Sequence, residues 1–254
     1  YKLQKDGFNS INHKKLTKHS GFESILQALK YKAPRMETNE LISCLKVVTY
    51  FGLKSDSATS QRLLHLVKDR INDLSPNNLM FLSFLLTKMS TTPLIEALQI
   101  AIPLVFNINL GYMIDHNNKT ELATLLHYIS TSHLKMSEKS MTNIMTACAL
   151  HGNTFDINDA RSIVWSICNL TKTYDNSEKV FQNCIGILNS QIMNLTFEHV
   201  ETTLAKLIGR IQNDDYFLLY NEEFFENVAR YTVEKNMGFM NASYILKKYN
   251  KINY

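Results

Sequence analysis

One apolar spacing recurs along this sequence at intervals near 40 residues. Leu41, Leu45 and Val48 stand at offsets 0, +4 and +7, followed by Gly52 at +11. The same offsets return at Leu122, Leu126, Ile129 and His133, at Met141, Met145, Cys148 and Gly152, and at Val200, Leu204, Leu207 and Ile211. Partial copies begin at Leu79 (with Leu86), Ile163 (with Ile167 and Leu170) and Ala242 (with Leu246 and Tyr249). Offsets of four and seven put side chains on one side of an α-helix. Taking one start per unit gives 41, 79, 122, 163, 200 and 242, and the copy at Met141 falls near mid-step, as the second helix of a pair should. A lone helix pair cannot bury its apolar stripe, so neighbouring pairs stack and share a core. The spacing therefore predicts an all-α chain, an α-solenoid of about six helix-pair repeats. A compact helical bundle is the rival, because any amphipathic helix yields +4 and +7; the recurrence near 40 favours the solenoid.

Local signals agree with helix. Two-residue alternation is almost absent, and the chain holds only 8 Gly and 4 Pro. Ser75-Pro76 and Thr92-Pro93 each set a capping hydroxyl before a first-turn proline, and Asp156 and Thr196 can open later helices. Gly52 and Gly152 sit where left-handed C-terminal caps are expected. Pro103 is expected to kink or shorten its helix. The organisation expected is a basic N-terminal segment or partial first repeat over 1–36, then a helical repeat domain over 37–254.

Charge is uneven. Residues 1–70 carry 13 Lys+Arg against 6 Asp+Glu, while 71–254 carry 14 against 17. Lys14, Lys15, Lys18, Lys30, Lys32 and Arg35 could face an anionic polymer or form a solvated basic face. With 45% apolar residues the chain is not disordered, and its apolar runs are too short to span a bilayer. Four cysteines without a CxxC pair make no disulfide framework and point to a reducing compartment. Beginning at Tyr1 without a Met or signal peptide, the chain reads as an excised fragment.

Motifs for chemistry are missing. There is no Walker A sequence, GxGxxG, HRD, DFG, HExxH or GxSxG, so no enzyme, cofactor or metal site is expected. His127 and His133 lie off a shared helical face and read as surface or half-buried imidazoles, and Cys44 and Cys148 read as small core residues. Asp214-Asp215 and Glu222-Glu223 read as an acidic loop plus a helix N-terminus. Four Asn-x-Ser/Thr triplets, at Asn118, Asn169, Asn194 and Asn241, are read as chance in an Asn-rich chain. Trp165, the single tryptophan, is either a core residue or a platform for a base beside Arg161.

Several segments resemble the helical region of the FAST kinase family, the Fas-activated serine/threonine kinase and its domain-containing relatives. They are Asp73-Leu74-Ser75-Pro76-Asn77-Asn78-Leu79 with Leu85-Leu86-Thr87-Lys88-Met89, the run Pro93 to Pro103, the segment Asp159 to Ser166 with its "S-Φ-Φ-W" positions, and Ala242 to Tyr249. The resemblance spans roughly residues 37–250. It implies octotricopeptide-like repeats in a mitochondrial protein that binds single-stranded RNA and acts in transcript processing, stability or translation. It also implies a RAP domain, which is expected to be missing or to lie beyond Tyr254.

On such a scaffold Lys and Arg would track phosphates along the exposed face while polar or aromatic side chains meet splayed bases. The candidates on the polar sides of first helices are Lys46, Lys88, Arg161, Lys206, Arg210 and Lys247, with Asn78 and Thr203 for base-directed hydrogen bonds. The acidic balance after residue 70 points to binding concentrated towards the N-terminus, or to some faces serving protein contacts. The alternative function is a protein-interaction scaffold that binds a partner helix or peptide, or forms a homodimer, through the solenoid surface.

Overall fold

The computed structural model describes residues 16–113, 115–213 and 222–235. The chain is all-α: among the described residues there are helices and short 3-10 turns and no strand. It divides into two compact units, Tyr1–Met113 and Ile114–Tyr254, a division that the sequence reading did not draw.

The first unit contains α1 (Ser20–Lys32), α2 (Thr38–Tyr50), α3 (Ala58–Asp69), α4 (Pro76–Leu86) and α5 (Pro93–Met113). The second contains α6 (Lys119–Ser132), α7 (Glu138–His151), α8 (Ile157–Asn169), α9 (Ser177–Gln191), α10 (Phe197–Asn213) and α11 (Glu222–Glu234). Each unit packs in two layers. In the first, α2 lies against α4, while α3 lies against both α1 and α5. In the second, α8 lies between α6 and α10, and α9 lies between α7 and α11.

The apolar stripes are what the layers share. Leu41, Leu45, Leu122, Leu126, Met141, Met145, Ile163 and Val200 have no exposed surface at all, and Val48, Ile129, Cys148, Leu204 and Leu207 are buried. Met141 lies on α7, the second helix of the α6–α7 pair, as its mid-step position implied. Removing a stripe side chain such as Leu126 loses both its transfer free energy and the packing around it, typically about 2–5 kcal/mol for Leu→Ala. The weak copy at Ala242 lies outside the described residues, as does Asp214-Asp215.

Helix boundaries follow the capping chemistry. Ser75 Oγ accepts from Asn78 N–H, and Asp156 Oδ1 accepts from Asn158 and Asp159 N–H at 2.8 and 2.9 Å. Thr92 Oγ1 and Thr196 Oγ1 accept from Ile95 and His199 N–H at 3.4 and 3.3 Å. Gly52 and Gly152 take φ of 70° and 56°, and His133, which occupies the same +11 offset, is left-handed at φ 51°. Pro103 does not shorten its helix: α5 continues through it. A mid-helix proline costs about 3 kcal/mol. Leu98, Ile102 and Phe106 are fully or almost fully buried around it, each contributing about 1.5–3 kcal/mol by burial. Burial wins.

Polar side chains tie alternate helices together within each unit. Asn78 Nδ2 on α4 donates to Asn39 Oδ1 on α2 at 2.6 Å, and Thr120 Oγ1 on α6 donates to Asp159 Oδ2 on α8 at 2.8 Å. Arg70 donates to Pro34 O at 2.9 Å, and the buried Tyr231 hydroxyl donates to Leu195 O at 2.8 Å. None of the described helices is long and apolar enough to cross a membrane.

Candidate nucleic-acid interface

Within each unit the helices of one layer, α2 and α4 in the first and α6, α8 and α10 in the second, expose aromatic and cationic side chains. Counted from the stripe starts 41, 79, 122 and 163, offsets +2 and +5 give Ser43, Lys46, Phe81, Phe84, Thr124, His127, Trp165 and Cys168. Of these Phe81, Phe84, Thr124, His127 and Trp165 are half-buried, Ser43 and Lys46 are exposed, and Cys168 is buried. The sequence reading singled out Lys46 and Trp165 but not Phe81, Phe84 or His127 as members of one set. The same offsets mark Ser43, Thr124 and Cys168 as well, so spacing alone does not single these rings out.

In the first unit the aromatic and cationic side chains form a ladder on α2 and α4. Lys46 Nζ lies 5.8 Å from the Phe81 ring centroid, Phe81 and Phe84 are stacked at 6.3 Å and 22°, and Lys88 Nζ lies 5.2 Å from Phe84. Lys88 is not on the polar side of a helix as expected. It follows the end of α4 and reaches back over the last turn. Asn78 is engaged with Asn39 rather than held out for a base.

In the second unit Trp165 is the centre. It is half-buried, which corrects the core reading: its neighbours Ile163, Val164, Ser166 and Ile167 are buried while its own position points off the stripe. The indole is a common wall of two hollows between α8 and α10. One, of about 520 Å³, is lined by Trp165, Cys168, Asn169, Lys206, Gly209 and Arg210. The other, of about 290 Å³, is lined by Trp165 with His127, Arg161, Glu198, His199 and Thr202.

Three of the expected cations converge here. Lys206 Nζ stands 5.0 Å from the indole centroid and donates to Asn169 Oδ1 at 2.9 Å. Arg210 Nη1 donates to Leu170 O at 2.7 Å, which fixes the guanidinium at the end of α8. Arg161 is half-buried, and its Nε is buried without a hydrogen bond. Burial holds its guanidinium below the usual arginine range, with Glu198 pulling the other way. Thr203 does not belong to the set. At offset +3 from Val200 it falls on the stripe side, is buried, and donates to His199 O at 2.8 Å. Lys247 lies outside the described residues.

The surrounding titratable groups are set by burial. His127 packs its ring 5.0 Å from Trp165, and burial, reinforced by the Arg161 charge, lowers its pKa. The shift favours the neutral imidazole, whose ring is tilted 41° to the indole. Burial pushes the Cys168 thiol up to about 12 despite Arg210 and Lys206 nearby, so it presents no thiolate nucleophile. Cys148 is buried as expected, whereas Cys44 is only partly so. Among the described residues no three His, Cys, Asp or Glu gather where they could hold a metal ion. The arrangement brings together aromatic rings, cations held by hydrogen bonds and an amide group in one cleft.

No protein-family model matches this chain, and no curated protein matches it.

Proposed function

We propose that this chain is a non-catalytic α-solenoid that binds single-stranded RNA through the α2–α4 helices of its first unit and the α6–α8–α10 helices of its second. The solenoid reading is supported by the tertiary hydrogen bonds, which join residues 39 apart in both units, Asn39 to Asn78 and Thr120 to Asp159. First helices also open at residues 38, 76, 119, 157 and 197, in step with the apolar starts. On this reading the repeats are octotricopeptide-like, and the setting is mitochondrial RNA processing, stability or translation, as the segment resemblance implies.

The single observation that carries the binding role is the pairing of a lysine with an aromatic ring across alternate helices in each unit. Lys46 of α2 lies over Phe81 of α4, and Lys206 of α10 lies over Trp165 of α8. A flat ring beside a cation suits a nucleotide, whose base stacks and whose phosphate is anionic, whatever the base. Duplex would present no unstacked base to these rings, so single strands are the substrate class.

A salt titration of RNA binding tests this. With about six phosphate contacts at ~0.7 each, the log–log slope of affinity against salt is expected near −4. A flat salt response, or no binding at roughly 50–100 mM salt, overturns the proposal. The scaffold reading has one observation on its side: Ile100, Leu104 and Ile108 stand exposed at i, i+4 and i+8 on α5. Salt-insensitive capture of a peptide or a second copy, with no RNA bound, would favour it.

A further inference from the structure

The face of Trp165 is already occupied, and by the chain's own cation. Lys206 Nζ sits 5.0 Å from the indole centroid while donating to Asn169 Oδ1. Asn169 is held in place from the other side, its Nδ2 donating to Ser130 O on α6 at 3.4 Å. The carboxamide is therefore fixed by α6, while the ammonium that caps it hangs on a flexible stem from α10. A lysine gives up little when it changes partner, because it is a point charge with three rotatable donors.

The exchange has a direction. An ammonium over a half-exposed ring is held more weakly than a base stacked on the same ring. A bond from the ammonium to a phosphate oxygen is stronger than one to a neutral carboxamide, since both partners are charged. The hollow beside the indole, about 520 Å³, lies within the roughly 300–1,000 Å³ of small-ligand sites. Arg210 lines this hollow and Arg161 lines the neighbouring one that shares the indole, so an anionic tail leaving the ring meets a cation in either.

Resting on the RNA-binding reading, we infer that the hollow beside Trp165 is a single-nucleotide slot that opens by exchange of Lys206. The base of a bound ribonucleotide takes the indole face. The ammonium moves to the adjoining phosphate. Asn169 Oδ1, released as an acceptor but still oriented by Ser130, meets an amino or ring N–H donor on the base edge. Lys206 thus keeps the slot filled when no strand is present and becomes a phosphate contact when one is.

Trp165 is the only tryptophan of the chain, so its emission reports on this slot alone. The full chain is titrated with short oligouridylate and oligoadenylate, following both tryptophan emission and filter retention. The expected result is quenching that saturates together with retention. Trp165→Leu should weaken retention roughly tenfold or more. Lys206→Met should weaken binding and make the salt slope shallower by about 0.7, while Lys206→Arg keeps the slope. A residue that only packs against the indole would not move that slope. Circular dichroism of Lys206→Met, whose side chain reaches the surface, separates loss of binding from loss of fold.

Retention of RNA with unchanged emission, or a slope untouched by Lys206→Met, overturns the slot and leaves the RNA reading standing. Absence of both signals overturns the RNA reading and the slot with it. Quenching by oligoglutamate but not by RNA overturns both in favour of an acidic protein partner.

Discussion

Thr120 and Asp159 are joined side chain to side chain, Oγ1 to Oδ2 at 2.8 Å, from the second residue of α6 to the third residue of α8. Asn39 and Asn78 make the same link from the second residue of α2 to the third of α4. Two different residue pairs, in two different units, thus fill one register of contact. The position of the contact is the same in both while its chemistry differs.

The Asp159 carboxyl makes that link pH-dependent. Burial raises its pKa above the ordinary 3.8, aided by Asp156 and opposed by the Thr120 hydrogen bond and Lys119. A raised carboxyl favours the protonated folded state, so its contribution is complete below the unfolded pKa and is lost as pH rises through the folded one. Asp159→Asn, which can still accept from Thr120, removes this dependence. Its Tm relative to the parent is expected to be higher at pH 7 than at pH 4, measured by thermal melts across that range. An equal offset at both would show that the charge is not penalised.

Left-handed helix ends give a second test. His133 pays for φ 51° where Gly52 and Gly152 do not, and a non-glycine residue there costs roughly 1–2 kcal/mol. His133→Gly is expected to stabilise, less the extra freedom that glycine gains in the unfolded chain. Gly152→Ala is expected to destabilise. A Cβ on Gly152 would meet nothing within 4 Å, so the loss is backbone strain alone. Urea unfolding of the two variants should move in opposite directions.

The stripe itself predicts magnitudes. Leu126→Ala and Leu45→Ala both empty sites with no exposed surface and should each cost about 2–5 kcal/mol by denaturant unfolding. Thr202→Ala, on the exposed side of α10, should stay within about 0.5 kcal/mol.

Much of this fold was legible because the signals are local. Asp156 announces a helix start by residue type and position, and the buried side of α6 is written in Leu122, Leu126 and Ile129. Pro103 misled because its penalty is local while its compensation, the burial of Ile102 and Phe106, is tertiary. The candidate interface was half legible for the same reason. Arg161, Lys206 and Arg210 were visible as cations, yet nothing within ten residues of Trp165 reveals that a lysine 41 positions later lies over its ring. Thr203 was misplaced by one-residue reasoning on a helix where one residue turns the side chain by about 100°.

In the first unit, Lys46→Gln and Lys88→Gln should each make the salt dependence of RNA binding shallower by about 0.7 per lost phosphate contact. Their melting temperatures should stay near the parent's, because both side chains are exposed. A slope that ignores both changes would remove the Phe81–Phe84 ladder from the binding surface.

The most direct measurement is photo-crosslinking of a 4-thiouridine-bearing single-stranded RNA to the full chain, with the attached peptides identified by mass spectrometry. Crosslinks are expected on α4, α6, α8 and α10, foremost at Phe81, Phe84, His127 and Trp165. Crosslinks confined to α3, α7 and α9, or none at a salt concentration where RNA is retained, would contradict the assignment of these layers in the two units.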